Sequence, residues 1–210
     1  MLGKAQAIQL RGQNNIMQPM IFSDTETAIS SDVRAIAEEI KLYAANLYET
    51  RQFLCSEAVL VALNRGLGGG LTEEQAVSMA APFGYAMGNS GCICGALSGA
   101  VMGAGLIMGN SNPYSRRKEM RESALMLHNA FKETNGATCC RILSKKVKHD
   151  KKAHFRQCAD ITANATEMAA LLVLQRHPEL LSNPSLQGIT LKKKTLIGGL
   201  LTSFFRNFHK

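Results

Sequence analysis

The chain has 210 residues, 46% of them hydrophobic and 19% charged, which suits one domain with a sizeable core and tails. It has no Trp and only 6% aromatic residues, so core volume must come from Leu, Ile, Val, Ala and Met. The net charge of +8 is uneven: residues 1–114 carry 6 Lys and Arg against 9 Asp and Glu, residues 115–210 carry 18 against 7. A basic half reads as a solvated face, an acidic-partner face or a membrane-surface face. No interleaving of aromatic and basic residues supports nucleic acid.

Residues 1–30 show no clear period and read as an irregular N-terminal arm. The segment lacks the continuous apolar core of roughly 7–15 residues that a secretory signal needs, so a cytoplasmic protein is expected. Ser31 is placed to cap a helix running to about Thr50, with Val33, Ile36, Ala37, Ile40, Ala44 and Leu47 at helical period. A second helix is expected over Gln52–Asn64, where Cys55, Val59, Ala62 and Leu63 share a face. Thr72 and Gln75 form a capping box for a short helix to about Ala81, and Pro82 kinks or ends it.

The stretch "GNSGCICGALSGAVMGAGLIMGN", Gly88–Asn110, follows. Its glycines at 91, 95, 99 and 103 fall four apart and form one bare helical stripe, along which a backbone or a cofactor can approach closely. A charged helix over Ser115–Asn135 buries Met120, Ala124, Leu127 and Phe131, with Gly136 as its left-handed stop. Cys139 and Cys140 open "CCRILSKKV", and a helix N-terminus there would favour a thiolate. The basic stretch "KKVKHDKKAHFR" leads into a core helix over Phe155–Arg176, with Cys158, Ile161, Ala165, Met168 and Leu172 on one seam. After "LKKK", Leu196, Ile197, Leu200, Leu201, Phe204, Phe205 and Phe208 make an amphipathic C-terminal helix with basic flanks. It reads as a docking helix or as a weak membrane-surface contact. No strand series and no repeat is visible. The expected fold class is all-α, a compact bundle of five or six helices. The expected organisation is an arm over 1–30, a helical cysteine-bearing domain over 31–178 and a basic amphipathic tail over 179–210.

Three readings compete for the glycine-rich stretch. A membrane span needs about 20 predominantly apolar residues, and the hydrophobic part, Ala100–Met108, is too short. A buried structural helix accounts for any one cysteine, since free Cys is among the most buried residue types. The set of six, Cys55, Cys92, Cys94, Cys139, Cys140 and Cys158, is better read as metal ligands or redox groups in a reducing compartment. Four convergent thiolates suit zinc or an iron–sulfur cluster, and two suit a dithiol/disulfide couple. There is no C-x-x-C and no C-x-x-C-H, so no thioredoxin-like signature and no covalent haem are expected. His149 and His154 lie in the basic stretch and read as solvent-exposed. No P-loop, G-x-S-x-G or H-E-x-x-H is present.

The pieces "CSEAVLVAL" from Cys55, "FGYAMGNSGCICGALSGAVMGAGL" from Phe83, "GATCCRIL" from Gly136, and then Cys158 occur in an order that resembles the C-GCAxxG-C-C family of redox-active proteins. The resemblance covers about residues 50–165. It implies a largely helical fold and redox activity centred on the cysteines. It also links the chain to the cysteine-bearing domain of the split-Soret cytochromes, which is associated with an iron–sulfur centre. Carried over residue by residue, the family cysteines match Cys55, either Cys92 or Cys94, Cys140 (with Arg141 and Leu143) and Cys158, which leaves Cys139 as an extra. Ile93 departs from the family's Ala, which leaves Cys92 and Cys94 in competition.

The leading expectation is therefore an iron–sulfur cluster, of the 2Fe–2S type, on Cys55, Cys94, Cys140 and Cys158. Cys92, Gly95 and Gly99 complete the expected cofactor site, and no haem is expected. Electron transfer or redox sensing with a redox partner protein would follow. A metal-independent thiol–disulfide oxidoreductase using Cys92/Cys94 or Cys139/Cys140 is the alternative. A structural or interaction module with inert buried cysteines is the third reading. The apolar tail and the glycine stripe both invite a homodimer.

Overall fold

The computed structural model describes residues 29–182, together with Thr195 and Gly198. Most of the N-terminal arm and nearly all of the amphipathic C-terminal tail, including its seven apolar positions, lie outside the described residues. Six helices of eight or more residues make an all-α fold with no strand among the described residues. They are α1 (Ser31–Glu49), α2 (Cys55–Gly66), α3 (Glu73–Ala80), α4 (Gly95–Gly109), α5 (Arg117–Asn135) and α6 (Lys151–Arg176). No helix among the described residues is long and apolar enough to cross a membrane.

Local chemistry sets the helix ends. The cap of α1 is Ser30 rather than Ser31, its side chain accepting from the Val33 N–H. The helix stops with Arg51 in the left-handed region at φ 56°, and the Arg51 and Gln52 N–H groups return to the Tyr48 and Leu47 carbonyls at 2.9 and 3.0 Å. That is a Schellman closure with Arg where Gly is usual. It delays α2 from Gln52 to Cys55, where the Glu57 carboxylate accepts from the Leu54 N–H at 2.8 Å. The Thr72–Gln75 capping box forms as expected, and so does the stop at Gly136, φ 78°. The start of α6 is earlier than its apolar pattern implies. Asp150, an acid within the basic stretch, accepts from the Lys152 and Ala153 N–H groups at 2.9 and 3.0 Å. After Pro82, residues Tyr85, Ala86, Met87 and Gly88 all take positive φ, a short left-handed turn that L-residues adopt only at a cost.

α2 is the centre of the fold. It is buried along nearly its whole length and packs against α1, α3, α4 and α6. A helix apolar on all sides belongs inside a bundle. Its few polar groups are bonded: Ser56 Oγ donates to the Ala80 carbonyl at 2.9 Å, and the Asn64 side chain brackets Leu71 at 2.9 and 3.0 Å. α6 lies along α1 and α4, and α5 closes the far side of α4. On α5 the buried positions are Ser123, Leu127, Ala130 and Phe131, so Met120 and Ala124 sit at the margin of the seam, half-buried. At the end of α6, His177 lies 3.0 Å from Glu119 Oε1 and 2.7 Å from Glu179 Oε1, joining α5 to the chain after α6.

The glycine stripe meets a backbone. Gly91 lies outside the helix, and Gly95, Gly99 and Gly103 turn toward α2. A Cβ on Gly99 would stand 2.6 Å from the Ser56 carbonyl oxygen and 2.9 Å from Val59 Cβ. Gly99 is therefore a helix-packing residue and not part of the expected cofactor site. Because the stripe is occupied within the chain, it also gives no ground for a dimer. Gly105, on the same helix, meets nothing within 4 Å.

Gly99→Ala is expected to destabilise the protein by about 1–3 kcal/mol through overpacking. Gly105→Ala is expected to stabilise it by roughly 0.4–1 kcal/mol by restricting the unfolded chain. Denaturant unfolding of the two variants beside the parent checks the contrast.

Candidate functional site

Four of the six cysteines line one cavity. Cys55 is the first residue of α2 and Cys94 precedes α4. Cys140 opens a single helical turn, Cys140–Leu143, and Cys158 lies in the second turn of α6. All four are free thiols. The cavity is small, about 20 Å³, and partly open to solvent. Its other walls include Gly95, Ala96, Leu143, Gln157 and Ile161. Gly95 keeps the cavity open, because a Cβ there would stand 2.6 Å from Cys55 Sγ and 2.8 Å from the Phe83 carbonyl oxygen. Of the residues expected at a cofactor site, the structure thus brings together Cys55, Cys94, Gly95, Cys140 and Cys158.

Cys92 is elsewhere. It is joined to Cys139 in a disulfide, with Cα atoms 4.5 Å apart. Its expected role as a competing ligand gives way to this pairing, and the expected pairs Cys92/Cys94 and Cys139/Cys140 do not form. The reason is the crossing of two segments. The Cys94 N–H donates to the Thr138 carbonyl at 2.8 Å, and the Arg141 N–H donates to the Gly91 carbonyl at 3.0 Å. The Arg141 guanidinium also donates to the Ser90 carbonyl. Gly91 is required there: it takes φ 85°, and a Cβ would stand 2.7 Å from Arg141 Nε. Cys92 and Cys139 thus face each other while Cys94 and Cys140, the next members of each pair, reach the cavity.

The cavity thiols are held neutral. Burial pushes Cys55 up to about 12, and the charges that Cys94, Cys158 and Cys140 would carry add to it. Burial also pushes Cys94 up to about 11, against the Leu97 and Ala96 N–H groups at the start of α4, which favour its thiolate. Cys140 is raised by burial, which overturns the expectation of a lowered thiol at a helix start; the helix is one turn long and half-buried. Cys158 is raised by burial and by Cys140, with a hydrogen bond from Tyr48 acting the other way. Thiols in this state are weak nucleophiles at neutral pH, since the thiolate is the reactive form.

Three residues at or beside the site were not among those expected there from the sequence. Tyr48 of α1 stacks on Phe155 of α6 with ring centroids 5.1 Å apart and bonds Cys158. Its phenol is raised, first by burial and then by the charges of Cys158 and Cys55. Gln157 donates to the Leu143 carbonyl at 3.1 Å, and its Oε1 is buried without a partner. His154, expected in solvent, is half-buried, and its Nε2 is likewise buried and unpartnered. The stripe 154, 157, 158 and 161 on α6 signals all but Tyr48 once Cys158 is known to face a cavity.

This is a helical protein with a half-buried four-thiol cavity beside a separate disulfide. Residues 53–172 match the family described as "Putative redox-active protein (C_GCAxxG_C_C)", and the chain belongs to that family. An uncharacterized protein of Archaeoglobus fulgidus is 31% identical over 130 residues, which span 58% of this chain and 84% of the relative. No solved structure matches the chain.

The raised thiols make stability depend on pH. A thiol above its ordinary value stabilises the fold while both states are protonated. That contribution is lost as pH rises from the unfolded value, 9.0, toward the folded values of about 11 and about 12. The reduced, metal-free protein is therefore expected to lose stability steadily above about pH 9, and Cys55→Ala is expected to flatten the loss. Chemical unfolding as a function of pH measures both.

Proposed function

We propose that Cys55, Cys94, Cys140 and Cys158 hold an iron–sulfur cluster, of the 2Fe–2S type, and that the protein serves electron transfer or redox sensing. The observation that carries this reading is the convergence of four free thiols, from four segments far apart in sequence, on one cavity. Soft thiolates are the ligands of iron–sulfur clusters and zinc. Among the described residues no group of three or more His, Cys, Asp or Glu stands close enough to hold a metal ion. A cluster spreads its thiolates over more than one iron, so the donor set fits it in kind and number.

Each residue then has a task. Cys94 is the buried ligand, and Cys55, Cys140 and Cys158 are half-buried. Each thiol must give up its proton, and the acidity that burial removes is restored by positive charge in the cavity. The Ala96 and Leu97 N–H groups support the Cys94 thiolate, and Tyr48 supports that of Cys158. Ala96, Leu143 and Ile161 limit water. When bound, the cluster supplies one-electron transfer at a potential tuned by burial and by hydrogen bonds to sulfur. The exposed run Arg141, Lys145, Lys146 and Lys148 beside Cys140 suits an acidic redox partner protein. Free thiols in this number fit a cytoplasmic setting.

Raised thiols at Cys94 and Cys140 argue against the alternative of dithiol chemistry by the pairs Cys92/Cys94 or Cys139/Cys140. Reconstitution of single variants with ferrous iron and sulfide separates the readings. Ser in place of Cys55, Cys94, Cys140 or Cys158 is expected to remove most of the bound iron, while Cys139→Ser keeps it. Equal iron content in all five proteins contradicts the proposal.

A further inference from the structure

The four-thiol cavity leaves Cys92 and Cys139 without a role. We propose that this pair is a second redox site, a reversible two-electron disulfide that exchanges with an external dithiol. The proposal uses neither the cavity thiols nor iron, so it stands apart from the cluster reading.

Three observations support it. First, the bond is accessible from one side: Cys92 is exposed and Cys139 half-buried. Exposed disulfides are the labile, regulatory or catalytic ones, whereas structural disulfides are shielded from exchange. Second, the two cysteines do not depend on the S–S bond to stay together. The Cys94–Thr138 and Arg141–Gly91 backbone hydrogen bonds and the Arg141–Ser90 contact hold the two segments side by side on either side of the pair. After reduction the two thiols remain neighbours, so re-oxidation is an intramolecular step with a high effective concentration. Third, the bond joins two segments outside the helix core, so it can open and close without disturbing the packing of the main helices.

The exchange balances as follows. A thiolate of the external dithiol attacks Sγ of Cys92, the more exposed of the two residues. The Cys92–Cys139 bond breaks, its electron pair leaves on Cys139 Sγ, and that sulfur takes a proton. The mixed disulfide now joins Cys92 to the reductant. The reductant's second thiolate attacks its own sulfur in that bond and expels Cys92 as thiolate, which is protonated. Two electrons and two protons have passed to the pair, and the dithiol has become a disulfide. In the reverse direction Cys92 is the attacking thiol and Cys139 resolves the mixed disulfide.

The test uses the full-length protein equilibrated anaerobically in mixtures of reduced and oxidised dithiothreitol, then alkylated and mapped by peptide mass. The expected result is that Cys92 and Cys139 pass together from linked to alkylated over one two-electron transition and return when the mixture is reversed. With oxidised glutathione, Cys139→Ser is expected to accumulate a mixed disulfide on Cys92. Cys92→Ser is expected to show at least a tenfold smaller yield on Cys139. The proposal is overturned if the bond survives excess dithiothreitol in the folded protein, or if the two cysteines alkylate independently under oxidising conditions. Equal adduct yields in the two variants overturn the order of attack. The parent measurement needs no variant, so a misfolded variant does not remove the test.

Discussion

The close approach of α4 to α2 organises the molecule. Three glycines remove the side chains that would keep the two helices apart, and the Ser56 carbonyl fills the space at Gly99. Glycine inside a helix costs about 1 kcal/mol of propensity relative to Ala, so the stripe persists only where packing offsets that cost. The same contact sets the chemistry. The two helices start side by side, with Cys55 first in α2 and Cys94 just before α4, and Gly95 lies against Cys55 Sγ. α6 then brings Cys158 across, and the turn after Gly136 brings Cys140.

Burial and hydrogen bonding divide the cysteines into two sets with different physics. The cavity thiols sit among apolar walls, with Cys94 only 5% exposed, and burial keeps them protonated in the metal-free chain. That protonation makes the site a poor nucleophile at neutral pH, and the proposed binding of a soft cation would release the protons. The other two sulfurs are linked at the surface, one residue before Cys140 and two before Cys94. Adjacent cysteines therefore meet different environments because the chain turns between them: Cys92 stays outside, and Cys94 enters the cavity at the start of α4.

Much of this was legible in the sequence, for identifiable reasons. The helices followed from apolar periodicity, the Thr72–Gln75 box and the Gly136 stop because those signals are local. The inward direction of Cys55 and Cys158 followed from their seams. The four-residue glycine period marked a face of close approach, although it left open whether a backbone or a cofactor would fill it. What stayed hidden depends on tertiary contacts. The Arg51 stop used an unfavoured residue, so α2 was expected three residues early. Asp150 was masked by the lysines around it. The Cys92–Cys139 pair arises from hydrogen bonds between segments 47 residues apart, which no spacing rule reports. Tyr48 reaches the site from a helix that carries no cysteine.

The claim on which the account rests is that the four cavity thiols form one metal-binding site. Iron and acid-labile sulfide content, measured with visible absorption on anaerobically purified full-length protein, addresses it most directly. The account predicts iron and sulfide in equal amounts, with charge-transfer absorption that is lost on chelation. A colourless protein that takes up neither, even after reconstitution, would contradict it.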